Sequence, residues 1–107
     1  MSYQQPQPTH RCQAKIPSGK GGKLASIGGT VTLTETGVEI QETGPGKWLG
    51  IARSFSTPYT RIVECAEAND VMVGGLNITV QSGTTVTIGV TPKKAAELRR
   101  AIEARMT

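Results

Sequence analysis

Near its C-terminus this chain passes from strand to helix without a loop, and no other stretch restricts the fold as much. From Thr85 to Val90 the small or polar residues Thr85, Thr87 and Gly89 alternate with Val86, Ile88 and Val90, the period of a strand with one buried face. Thr91 and Pro92 follow, a residue suited to the N-cap and one favoured at the first helical position. From Lys93 onward, Ala95, Leu98, Ile102 and Met106 fall on one narrow helical stripe. The expectation is a mainly β domain with one C-terminal helix, its stripe laid on the sheet or across the mouth of a small barrel.

The preceding residues read as strand or turn. Short strands are expected at Gln13 to Ile16 and at Leu24 to Ile27, on either side of the glycine- and lysine-rich loop Pro17 to Lys23. Thr30 to Thr34 and Val38 to Gln41 alternate and are joined by Glu35-Thr36-Gly37, a hairpin in which Gly37 is expected to supply a positive φ. Lys47 to Phe55 reads as a strand with Leu49, Ile51 and Phe55 on one face and Trp48 on the other. Arg61 to Ala66 reads as a further strand, and Val71 to Val73 as an edge strand or ordered loop. Leu76 to Gln81 has the cleanest alternation and is linked to the final strand through Ser82-Gly83. From Thr30 onward that makes about six or seven strands.

With 107 residues and 36% hydrophobic composition the chain suits one domain and a small core of Val, Ile, Leu and Ala. Met1 to Thr9, rich in Gln and Pro, reads as a disordered lead-in, with the domain running from His10 to Thr107. It has neither the charged nor the apolar part of a secretory signal, so a cytoplasmic chain with Cys12 and Cys65 as reduced thiols is expected. No apolar run is long enough to span a membrane.

Net charge is +4 and unevenly distributed. Arg11, Lys15, Lys20 and Lys23 stand together without an acid, the middle of the chain is acidic, and Lys93, Lys94, Arg99, Arg100 and Arg105 make the helix basic. Lys93/Glu97 and Arg99/Glu103 are spaced to pair along the helix.

From Gly28 to Met106 the order and texture of these elements resemble the PH-like (pleckstrin-homology) superfold, in particular the small bacterial PH-like domains. The resemblance rests on the opening hairpin Gly29 to Ile40, on Ser56-Thr57-Pro58-Tyr59-Thr60-Arg61-Ile62-Val63, and on the strand, Thr91-Pro92 and helix sequence. It implies a bent antiparallel sheet with its mouth plugged by the helix, and a non-enzymatic binding module. Members that bind phosphoinositides place Lys and Arg around the first hairpin loop. The matching loop here is Glu35-Thr36-Gly37, flanked by Glu39, so recognition of a headgroup there is not expected.

Residues suited to catalysis are scarce. His10 is the single histidine and falls at the edge of the lead-in, which leaves no Ser-His or Cys-His pair on a rigid site. Cys65 reads as a small core residue, and Glu64 and Glu67 as solvated surface. Ser18 to Lys23 lacks the hydroxyl that should follow the lysine of a phosphate loop, since Leu24 stands there. No enzyme, metal or cofactor is expected.

Two functional expectations remain. The first is protein or peptide recognition, or self-association into an oligomer, through the groove between the helix and the adjacent strand or through an edge strand, with Trp48, Tyr59, Arg99 and Arg100 as contact residues. A phage or mobile-element accessory protein would fit that description. The second is a nucleic-acid or polyanion binder using Arg11, Lys15, Lys20, Lys23 and Arg105 with the other helix arginines.

Overall fold

The computed structural model describes residues 9–17, 24–44, 52–68 and 74–106. They form β1 (Thr9–Pro17), β2 (Leu24–Leu33), β3 (Gly37–Glu42), β4 (Ser54–Pro58), β5 (Ile62–Ala68), β6 (Gly75–Val80), β7 (Thr85–Gly89) and α1 (Pro92–Met106). A single 3₁₀ turn, Tyr59–Arg61, joins β4 to β5. All neighbouring strands are antiparallel, in the order β4-β3-β2-β1-β7-β6-β5. Two meanders, β1 to β4 and β5 to β7, are therefore hinged on the β1–β7 pairing and curl into a half-barrel with α1 against one side of it.

Alternation decides what faces inward. Cys12, Ala14 and Ile16 of β1, Ile27, Val31 and Leu33 of β2, and Val38 and Ile40 of β3 are buried on one side. Ile78 and Val80 of β6 and Val86 and Ile88 of β7 are buried in the same core. The helix contributes Ala95, Leu98 and Ile102, with Met106 partly buried at the end of the stripe. Its start is capped as expected: the Lys94 amide donates to Thr91 Oγ1 at 3.3 Å and the Ala95 amide to the Thr91 carbonyl at 2.8 Å.

Several expectations need correction. Thr9 is not part of a lead-in: it opens β1, opposite Thr32, with His10 next to it opposite Val31. Leu24 to Ile27 and Thr30 to Thr34 are not separate strands either, because β2 runs through Gly28 and Gly29 without a break. A Cβ on Gly29 would lie 2.1 Å from the Gln41 carbonyl oxygen, so this glycine permits a close approach of strands instead of ending one. Gly37 serves in the same way. Its φ is not positive, and a Cβ there would meet the Thr57 carbonyl oxygen at 2.1 Å. The turn before it is organised by Thr34, whose hydroxyl accepts from the Gly37 amide at 3.0 Å. The positive φ that a hairpin does require is at Gly83, +93°, between β6 and β7.

Arg61 belongs to the 3₁₀ turn, and the strand after it begins at Ile62. Between Ile62 and Glu64 the register with β6 shifts, which leaves Val63 as a bulge residue 55% exposed. The expected strand residues 47–51 and 71–73 lie outside the described residues, as do residues 1–8.

Candidate binding site

The helix has two unlike flanks. On one it packs on β5, β6 and the 3₁₀ turn. Arg99 closes this flank: its Nε lies 3.1 Å from Glu67 Oε2 on β5 and its Nη1 3.5 Å from Glu103 Oε1. The Nε contact is an ion pair without hydrogen-bond alignment. Arg99 is thus engaged within the fold, and its guanidinium ties helix to sheet.

Tyr59 is also internal. It is 4% exposed, its hydroxyl donates to the Thr34 carbonyl at 2.7 Å and its amide donates to the Thr36 carbonyl at 3.0 Å. These two bonds hold the 3₁₀ turn against the β2–β3 hairpin. The Arg105 guanidinium carbon lies 5.8 Å from the ring centroid, within range of a cation–π attraction. Burial raises the Tyr59 pKa, and the charge of Arg105 opposes that rise. Tyr59 is therefore removed from the set of contact residues, for the same reason that makes it structurally important.

The other flank is open. Lys94, Glu97, Leu98, Ala101 and Arg105 form one wall of a groove of about 320 Å³, and His10 of β1 and Leu33 of β2 form the other. Its floor is apolar and its rim charged. Lys94 Nζ lies 3.1 Å from Glu97 Oε2, a pair one position displaced from the expected Lys93/Glu97. The hydrogen bond from Lys94, followed by its charge, lowers the Glu97 pKa. Arg105 bonds the Ala101 carbonyl at 3.2 Å, and Arg100 is exposed outside this groove.

His10 and Lys94 also border a second, larger depression of about 1000 Å³, lined by Thr9 to Gln13, Gly28 to Thr30, Thr43, Gly89 to Thr91 and Lys94. The two hollows thus share His10 and Lys94 as a common border. Arg11 and Lys15 project from β1 on its exposed face, with Gln13 between them. Trp48, Lys20 and Lys23 lie outside the described residues.

Neither thiol is set up for chemistry. Cys12 and Cys65 are free and buried. Burial raises the pKa of Cys12, and it pushes Cys65 up to about 12, assisted by Glu103 and opposed by Arg99. His10 does share the inward face of β1 with Cys12, but the Cys12 thiol stays protonated at neutral pH. Among the described residues no cluster of three or more His, Cys, Asp or Glu is placed to hold a metal ion, and no helix is long and apolar enough to cross a membrane.

Sequence reasoning expected a groove between the helix and the adjacent strand; the hollow found beside the helix is built with His10, Leu33 and Ala101, none of which was singled out for it. No local signal marks them, because they come from different ends of the chain. The architecture these residues occupy defines a class, a curled antiparallel sheet closed by one C-terminal helix. Comparison with known proteins adds no closer identity: no family model and no curated protein matches the chain.

Proposed function

We propose that this chain is a non-enzymatic binding module of PH-like architecture that recognises a protein or peptide in the open groove beside α1. The strand order, two meanders hinged on β1 and followed by one helix, supports the architectural part of that reading. The observation that carries the functional part is the asymmetry of the helix. One flank is sealed by packing and by Arg99–Glu67, whereas the other leaves Leu33, Leu98 and Ala101 lining a hollow rimmed by Lys94 and Arg105. An apolar floor with a charged rim suits an inserted side chain on a polar main chain.

The reading is tested by crosslinking capture in cells with the wild-type chain and Ala101→Glu, which fills the hollow with charge. A stoichiometric partner, or a second copy of the chain, retained by wild type and lost by the variant is expected. Recovery of none, or equal recovery by both, overturns the reading.

Arg11 and Lys15 favour a second reading, because they share one exposed face of β1. A polyanion held there would bind with an affinity that falls steeply with salt. Titration of single- and double-stranded DNA and RNA at low salt checks this, with Arg11→Glu/Lys15→Glu as the variant expected to lose binding.

A further inference from the structure

We infer that the partner is an extended acidic segment that adds a strand to the exposed N-terminal edge of β1. This rests on the reading of the helix groove as a recognition site and names what enters it.

The first observation is a mismatch in pairing. β1 is paired with β2 along its whole length, Thr9 to Pro17, but with β7 only from Gln13 to Lys15. Beyond Gly89 the chain turns through Val90 and Thr91 into the helix, and the depression of about 1000 Å³ opens between that turn and Thr9 to Cys12. This stretch of β1 is an edge inside a sheet, with no strand beside it among the described residues.

Hydrogen-bond alternation says which groups are exposed there. The Thr43 amide donates to the Gly28 carbonyl at 3.0 Å, so Gly28 directs its backbone groups toward β3. In an antiparallel ladder successive residues alternate sides. Gly29 therefore faces β1 and bonds with Cys12, its register partner. Thr9 and Arg11, out of phase with Cys12, present both their N–H and C=O to the vacant side. Gln13, in phase with them, meets Gly89 of β7. An added strand would continue the ladder that β7 abandons.

The second observation is the composition of the walls. Arg11 and Lys94 border the larger hollow, and Lys94 and Arg105 the smaller, against Glu97 as the one carboxylate of the two linings. A main chain paired with Thr9 and Arg11 could set an apolar side chain on Leu33, Leu98 and Ala101 while acidic neighbours meet the cations. Phe55 and Tyr59, the aromatic residues among those described, line neither hollow. The His10 imidazole is the one ring in the two linings, a smaller stacking surface than Trp or Tyr, and the open backbone groups of Thr9 and Arg11 favour a peptide main chain over single-stranded nucleic acid.

The test uses the full chain and a fluorescein-labelled peptide of alternating Glu and Val with one central Leu. Its Lys-for-Glu counterpart, a copy N-methylated at alternate backbone nitrogens and a single-stranded DNA of equal charge serve as comparisons. Anisotropy should show binding of the acidic peptide alone. Lys94→Glu/Arg105→Glu should weaken it by about tenfold or more, and Ala101→Glu to a similar extent. N-methylation in one of the two phases should abolish binding. Hydrogen exchange of the Arg11 amide should slow by about tenfold on binding, while that of Cys12, already bonded to β2, stays unchanged.

Each variant's circular dichroism must match wild type, and Lys94→Gln/Arg105→Gln, which removes both charges without reversing them, replaces any that fails to fold. Peptide binding that depends on Ala101 but leaves the Arg11 amide unprotected and tolerates N-methylation in both phases overturns strand addition and leaves the groove reading standing. Absence of peptide binding, or competition by the DNA at equal strength, overturns the inference itself. Loss of capture in cells remains the separate measure of the groove reading.

Discussion

The two flanks of α1 are built from the same helix, yet one is a joint and the other a vacancy. On the β5 flank, Arg99 reaches Glu67 and Glu103, and Ile102 is buried in the core. On the β1 flank, Lys94 finds its partner within the helix, at Glu97, and Leu33 and Ala101 are left lining a hollow. The difference shows where a small domain can place recognition without weakening its core. Ion pairs that cross between elements hold the helix down, whereas pairs confined to the helix leave its surface unattached.

The comparison breaks most completely if the shared core is cut. Ile102 is fully buried beneath both flanks, so Ile102→Ala is expected to cost about 2–5 kcal/mol of unfolding free energy, read by urea denaturation. Groove and joint should be lost together in that variant.

Next in size is Tyr59→Phe, which deletes the 2.7 Å bond to the Thr34 carbonyl and leaves that oxygen without its donor. A loss of about 1–2 kcal/mol is expected, with the amides of the β2–β3 turn becoming the first to exchange. If exchange is unchanged at Thr36 and Gly37, the turn does not depend on Tyr59.

The closed flank is probed more gently by Glu67→Gln. Its ion pair with Arg99 is partly exposed, so a loss of about 1 kcal/mol or less is expected at low salt, shrinking as salt is added. The same change on the open flank, Glu97→Gln, should leave the urea midpoint unchanged within error, because solvent screens this exposed pair. Equal losses in the two variants would erase the proposed distinction.

A pH titration supplies the subtlest measure. Cys65, beside the closed flank, has its pKa pushed up to about 12. The unfolded chain releases that proton at the ordinary thiol value, about 8.5. Between these values the folded state binds more protons, so stability is complete below the lower one and falls as pH rises toward the upper. Cys65→Ala should flatten that fall relative to wild type, once its own constant loss of packing is subtracted. An unchanged slope would place the alkaline sensitivity elsewhere.

Legibility of the fold followed the range of the interactions. Thr91, Pro92 and the stripe Ala95, Leu98, Ile102 announced the helix because capping and amphipathic spacing are local. Val31, Leu33, Val38 and Ile40 announced their strands for the same reason. Gly37 was legible as a special position but not for its cause, since the oxygen that excludes a side chain belongs to Thr57 on another strand. Tyr59 and Arg99 were expected to meet a partner, whereas the contacts they make are internal, to Thr34 and Glu67, which are far away in sequence.

The sequence by itself determined a mainly β chain ending in one capped helix, because period and capping depend on neighbours a few residues apart. Tertiary structure alone decided that β1 would outrun β7, leaving the Thr9 to Cys12 edge beside the helix. That outcome rests on where two meanders meet and on how far their strands overlap. Such overlap is set by packing across the whole half-barrel and leaves no trace in any short stretch of residues.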